Sequence, residues 1–266
     1  MLNLYILDLL VPILVILLSI LYLPIALLIM LKDLNFNPLR SWESFQKFWF
    51  ARFWHFFGEK FKFLFAPDIE ALLPQAHGVV LEVGSGSGDW MYLFAPERNR
   101  NVTKLLLLEP NREFHETLRT RAEQLGLKDR CEVLDGGVED LQRLGIEPGT
   151  IDTISTVHVL CSVSAPEVLI TKLYECLKPG GDWVVYEHVK IDGGKFLPRA
   201  FQMIVDRVWP VFLDGCTITR DTEHLLRTTG KWESVELRPG VNQGQFSQLP
   251  HIRGVLVKAK QSGKEM

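Results

Sequence analysis

The sequence is poor in cysteine, with four in 266 residues, all beyond position 130 and no C-x-x-C pair among them. Cys131, Cys161, Cys176 and Cys216 are too sparse for a disulfide framework or a spaced zinc motif. A reducing compartment is therefore expected for the folded part, and no metal site is expected. An excess of charge of one sign is also lacking. With 29 basic against 32 acidic residues and a net charge of −3, the chain offers no basic footprint, so no nucleic-acid partner is expected. Nothing basic precedes the first apolar run and no small-x-small site follows it, which argues against a secretory signal peptide. The length suits one well-cored domain with an appendage and is too short for two large domains.

Hydrophobic residues are abundant and unevenly placed. No charged residue occurs from Leu9 to Leu31, and Asp8 is the only charge before that run. At about 1.5 Å per residue the run reaches across roughly 30 Å of hydrocarbon. Pro12 and Pro24 each remove a backbone donor, which leaves two geometries: a single span, or a bent hairpin that enters and leaves by one face. The stretch Ser41–Phe65 then interleaves Phe45, Phe48, Trp49, Phe50, Phe53, Trp54, Phe56 and Phe57 with Lys47, Arg52, Lys60 and Lys62. Rings at the acyl boundary and cations toward phosphate suit a helix at headgroup level, with membrane lipids as partners. Packing of the same helix on the following domain is the other reading of those rings. Lys32, Arg40, Lys47 and Arg52 all follow the apolar run, so the positive-inside bias turns the folded domain toward the cytosol. The expected organisation is an apolar anchor at 1–31, an interfacial segment at 32–70, a catalytic domain at 71–260 and a polar tail at 261–266.

From Gly78 the pattern becomes alternating strands and helices. Val79–Val83 is a β-branched run that leads directly into Gly84-Ser85-Gly86-Ser87-Gly88. Glycine at every second position lets the chain turn sharply and brings bare amides against a ligand. Dinucleotide enzymes use a related loop with different spacing. The G-x-G-x-G spacing, with Glu82 two residues before the first glycine, is that of an S-adenosylmethionine loop: amides for a carboxylate, Glu82 for an ammonium. The second strand, Lys104–Pro110, ends in Glu109, about 20 residues on, where a carboxylate accepts ribose hydroxyls. An amphipathic helix is expected over Asn111–Leu125. After a third strand from Cys131, Gly137, Val138 and Glu139 sit where an adenine ring would be clamped. Ile151–Leu160 is the fourth strand with His158 at its carboxyl end. A helix from Pro166 is expected to cap at Lys178-Pro179-Gly180-Gly181, and Asp182–Val189 is the fifth strand. Glu82, Glu109, His158 and the pair Glu187-His188 share the carboxyl rim of one sheet, where open α/β sheets bind ligands.

From Ala71 to Lys260 the chain resembles the class I S-adenosylmethionine-dependent methyltransferases. The set LEVGSGSG, LEPN, HVLCSV, LKPGG with EHV, DGCTITRDT and PHIRG, behind an apolar N-terminus, resembles the membrane-bound "methyltransferase-like seven" family. The resemblance implies an α/β, Rossmann-like seven-stranded sheet with a closing β-hairpin and an N-terminal membrane helix. It also implies alkyl-thiol S-methylation at the endoplasmic reticulum and lipid droplets. Glu109 stands where Asp is commoner in that family, and Ser41–Phe65 and the loop Val241–Leu249 are unlike its animal members.

Methyl transfer to a thiol asks the protein to align the acceptor, exclude water and take a proton. His188 is the leading candidate base, with His158 and His251 behind it, and Asp214 is placed to shape the acceptor site. Cys161 and Cys216 read as small packing residues, because the reaction needs no covalent intermediate, and Arg220 as a salt-bridge partner near a helix start. Lys195–Leu213 reads as an amphipathic roof over a small lipophilic acceptor, facing the membrane. The alternatives are O- or N-methylation of a lipophilic metabolite, and a membrane or lipid-droplet scaffold that has lost the reaction.

Overall fold

The computed structural model describes residues 2–192, 196–241, 243–244 and 247–260, with side chains from Asp8 onward. The polar tail expected at 261–266 and Lys195, the first residue of the expected roof, lie outside the described residues.

Strands β1 (Gly78–Val83), β2 (Val102–Glu109), β3 (Cys131–Asp135), β4 (Ile151–Val157), β5 (Leu177–His188), β6 (Trp232–Pro239) and β7 (His251–Lys258) form one sheet in the order β3-β2-β1-β4-β5-β7-β6. The first five are parallel, while β7 runs antiparallel to both β5 and β6. Alternation along β2 fills both sides of the sheet: Leu106 and Leu108 enter one core cluster, Leu105 and Leu107 the other. The strand order turns between β1 and β4, so the loops after these strands open a crevice at their carboxyl ends.

Helix α3 (Ala66–Leu72) leads into β1. Helix α4 (His115–Gln124) starts later than the sequence suggests, because Asn111 spends its side chain accepting the Glu113 amide in a tighter turn. Helix α5 (Pro166–Cys176) stops before Lys178-Pro179-Gly180-Gly181, and that expected cap belongs to β5 instead. Leu177 already pairs with Ile151, and a register shift between Ile151 and Thr153 absorbs the extra residues, with Gly180 at φ +78°.

Helix α1 (Leu2–Lys32) carries Pro12 and Pro24 inside it without interruption, so no hairpin turn divides it. Its Asp8–Lys32 stretch is long and apolar enough to cross a membrane. One face docks on the domain. Ala26 and Met30 pack with Phe48 and Trp49 of α2 (Trp42–Phe61), and Val15, Ile16 and Tyr22 pack toward Trp209 and Leu213. Trp49 Nε1 donates to the Ser19 carbonyl at 2.8 Å, and Ser19 Oγ donates to the Phe212 carbonyl, in α7 (Trp209–Phe212), at 3.0 Å. The opposite face leaves Leu17, Leu21, Leu28 and Leu31 exposed. Helix α6 (Phe196–Asp206) shows a similar split: Gln202 and Val205 are buried, while Phe196, Met203 and Ile204 are exposed.

Candidate active site

A cavity of about 850 Å³ occupies the crevice at the carboxyl ends of β1, β4 and β5. Its floor is the glycine loop. Gly84 sits at φ +64°, and a Cβ there would fall 2.4 Å from Val159 Cγ2. Gly86, at φ +52°, lies under the indole of Trp54, 3.2 Å from where its Cβ would be. Only glycine lets the backbone come this close. Gly88 turns away from the cavity and packs on Met91 and Leu118.

Two acids meet at this floor. Glu109 is buried, and its two oxygens accept the amides of Gly86 at 2.7 Å and Asn111 at 2.8 Å. Burial outweighs those bonds and pushes the carboxyl up to about 7. Glu82, also buried, has Oε2 without a hydrogen-bond partner among the described residues. Burial, then the charges of Asp89 and Glu109, push it up to about 8. At the end of β3, Val138 gives the cavity a buried apolar wall, Gly137 adds backbone, and Glu139 stands exposed at the mouth.

The side walls carry the candidate bases. His188 and His251 are direct partners across β5 and β7, and His158, at φ +57°, reaches them from the end of β4. Ring centroids are 4.3 Å apart for His188 and His251, 5.0 Å for His158 and His188, and 4.9 Å for His158 and His251. Nε2 of His158 and of His251 are buried without a hydrogen-bond partner among the described residues. Burial, followed by the neighbouring imidazoles, holds both well below 6.5, so these rings are neutral at physiological pH. Glu187 is spent differently: its carboxylate accepts the amides of Val159 and Leu160, each at 3.0 Å, and so fixes the turn that carries His158. Asp214 lines the cavity at φ +47°; burial raises its carboxyl to about 6, with Lys47 pulling it down. Arg220 makes no salt bridge among the described residues and donates to the carbonyls of Leu160 and Val163.

The roof is built by residues that sequence reasoning assigned to the membrane. Phe50, Trp54, Phe57 and Phe61 of α2 line the cavity, as do Val11, Val15 and Leu18 of α1. Phe48, Trp49 and Phe53 are buried, while Phe56 and Phe63 stay exposed. The signal was available: positions 50, 54, 57 and 61 follow 4-3-4 spacing, one stripe of a helix. Glu43 and Gln46, a turn earlier on the same stripe, are polar lining residues that the sequence reading did not single out, and Lys47, expected at the headgroups, lines the cavity beside them. Trp209 and Leu213 give the expected roof segment a part in the cavity.

Residues 50–213 match the family described as "Methyltransferase domain". This chain belongs to that family. The methyltransferase is 27% identical over 249 residues to human thiol S-methyltransferase TMT1A, covering 85% of this chain and 91% of that protein. It is 27% identical over 276 residues to rat thiol S-methyltransferase TMT1B, covering 94% of this chain and all of that protein. An O-methyltransferase family protein from Burkholderia thailandensis superimposes with a TM-score of 0.60 at 13% identity, over 91% of this chain and 72% of that one. That likeness shows the fold, and a fold does not name a reaction.

The methyl donor of this methyltransferase is S-adenosylmethionine, and the residues present fit it. The unpartnered Glu82 Oε2 is a buried acceptor that an ammonium satisfies, and Glu109 keeps lone pairs free for hydroxyls beyond its two amide bonds. The loop glycines leave room where a Cβ would intrude.

Proposed function

We propose that this methyltransferase is held at a membrane by α1 and methylates a small lipophilic acceptor, a thiol by preference. One observation carries the reading: the wall facing the methyl-donor cradle is made by α1 and by the aromatic stripe of α2. The helix long enough to cross a bilayer is thus also the side of the acceptor compartment, and its other face is apolar and exposed. An acceptor dissolved in the bilayer reaches the cavity along α1 without crossing water. The exposed face of α6, with Val208 and Val211 after it, adds a second apolar surface for the membrane. The basic residues that follow α1 favour a cytosol-facing domain, and the family resemblance of the sequence implies the endoplasmic reticulum or lipid droplets. The names of the human and rat relatives favour sulfur as the acceptor atom.

In this reading, bound S-adenosylmethionine supplies a sulfonium methyl group open to in-line displacement. Glu82, toward the ammonium, and Glu109, toward the ribose hydroxyls, would hold the donor on either side of its sulfonium, which sets the direction of attack. Trp54, Phe57 and Phe61 exclude water from the compartment. The acceptor thiol gives its proton to the imidazole cluster, with His188 as base at the cavity surface. Asp214 and Lys47 set the polarity at the cavity's other side.

The test is transfer from labelled S-adenosylmethionine by detergent-solubilised protein across small lipophilic thiols, phenols and amines. Thiol-selective transfer that vanishes in Glu109→Ala is the expected result. Transfer only to hydroxyl or amine acceptors would replace the thiol assignment. Donor binding with no turnover on any acceptor would favour a scaffold, a reading against which the intact cradle already stands.

A further inference from the structure

Two cysteines and a histidine that are remote in sequence converge on one wall of the cavity. Cys161 follows β4, His188 ends β5, and Cys216 follows α7. Both thiols are free and buried, with Sγ atoms 3.1 Å apart, and Cys216 Sγ lies 3.8 Å from His188 Nδ1. The three ligand atoms lie within 4.8 Å of one another, and all three side chains line the cavity. For a tetrahedral zinc with Zn–S near 2.3 Å and Zn–N near 2.0 Å, the ligand edges are about 3.8 Å for S–S and about 3.5 Å for S–N. The observed S–S edge, 3.1 Å, is shorter than the first of these and the Cys216–His188 edge, 3.8 Å, longer than the second, so the two sulfurs part by about 0.7 Å to hold the ion.

The backbone holds this arrangement in place. The Thr217 amide donates to the Cys161 carbonyl at 2.9 Å, tying the two cysteine segments together. Arg220 staples the same pair of segments through the carbonyls of Leu160 and Val163. Asp214 at φ +47° and Gly215 at φ +80° make the left-handed bend that turns Cys216 toward Cys161. Both cysteines also belong to the buried cluster around Phe53, Trp209 and Leu213, with the sulfurs turned to the cavity wall. Two thiols and an imidazole form an S₂N donor set, which suits zinc or another thiophilic cation and not magnesium or calcium. Three protein ligands with a fourth side open to a cavity is the pattern of a reactive metal site, not a closed structural one. The rings of His158 and His251 pack against His188 on the same wall.

We propose that Cys161, Cys216 and His188 bind a thiophilic divalent cation, zinc by its chemistry, whose open position takes the sulfur of the acceptor. The acceptor role rests on the thiol reading above; the metal site itself does not. His188 is then a ligand in place of the base role given to it above, and the metal lowers the thiol's hold on its proton. The acceptor's S–H bond breaks, its proton leaves to solvent, and its electron pair forms the metal–sulfur bond. On methyl transfer that sulfur forms a bond to carbon while the donor's carbon–sulfonium bond breaks, and the neutral thioether leaves the metal.

The experiment uses full-length protein in detergent with reductant, stripped by a chelator and titrated with cobalt(II). The expected result is one cobalt per chain, with tetrahedral visible bands and a sulfur-to-cobalt charge-transfer band that changes when a lipophilic thiol is added. Cys161→Ser and Cys216→Ser should weaken binding by more than about a hundredfold, beyond what an outer partner costs, while still binding S-adenosylmethionine. Cys131→Ser and Cys176→Ser should keep the spectrum. Wild-type protein that binds S-adenosylmethionine but no cobalt overturns the proposal, as does a Cys161–Cys216 disulfide recovered under reductant. Thiol methylation at the wild-type rate by the double serine variant overturns the ligand role. Cobalt bound by these ligands in an enzyme that methylates only hydroxyls or amines upholds the metal site and sinks the thiol reading instead.

Discussion

Binding of S-adenosylmethionine should release protons, with Glu82 giving the largest share. In the free protein Glu82 titrates at about 8, pushed there by burial first and then by Asp89 and Glu109. Glu109 titrates at about 7, where burial outweighs the amide bonds from Asn111 and Gly86. At pH 7 most free molecules therefore carry a proton on Glu82. An ammonium docked beside it favours the ionised form. For each carboxyl that must ionise, every pH unit below its free value costs about 1.36 kcal/mol, a factor of about ten in affinity. From pH 7 to 6 an α-amino group, with a reference value of about 7.7–8.0, stays charged. Over that interval affinity should fall about tenfold through Glu82 alone, and Glu109 steepens the fall. Calorimetry in two buffers of different protonation enthalpy reads the released protons directly. Glu82→Gln keeps the volume and removes the titration, so its affinity should be weaker at pH 7 and its pH slope shallower. A flat wild-type profile from pH 6 to 7 with no buffer dependence would refute the reasoning, and so would an unchanged slope in Glu82→Gln. The same shifts have a consequence for stability. Both carboxyls are raised above their usual 4.5, so their favourable contribution is complete below that pH and is lost as pH rises through about 7 and 8. The free protein should lose stability over that window, and the thermal shift given by the donor should grow from pH 6 to 8.

Gly84→Ala places a Cβ 2.4 Å from Val159 Cγ2 at φ +64°. It should destabilise the protein by about 1–3 kcal/mol and weaken donor binding, read by melting and calorimetry. Glu187→Ala strips the half-buried amide of Val159 and the buried amide of Leu160 of their acceptor. The loss expected is about 2–4 kcal/mol, with activity falling as the His158 turn loosens; an unchanged melting temperature would show that water or another group replaces the carboxylate. Leu18→Trp fills the α1 side of the cavity. It should raise KM for the bulkiest acceptors while the affinity for S-adenosylmethionine stays as it was. Equal effects on donor and acceptor would mean that α1 does not wall the acceptor end.

Local pattern alone pointed to the cradle that fits the methyl donor. A β-branched strand that runs into alternating glycines, with an acid at the end of the next strand, is a short-range arrangement. The fold keeps Glu82, Gly84, Gly86 and Glu109 at one cavity floor because β1 and β2 are adjacent parallel strands, paired Glu82 to Leu107. The apolar span of α1 was equally legible, since length and hydropathy are properties of the run itself. The acceptor half belongs to tertiary structure. Composition made the rings of α2 look fit for lipid, but which of them face protein depends on the neighbours that α1, α7 and the sheet supply. His188 meets His251 only because β7 enters antiparallel beside β5. Cys161 and Cys216 meet only because a left-handed turn at Asp214 and Gly215 folds back on the end of β4. Contacts between segments tens of residues apart leave no periodicity in the chain. They exist once the hydrophobic burial of several elements has fixed the distances between them.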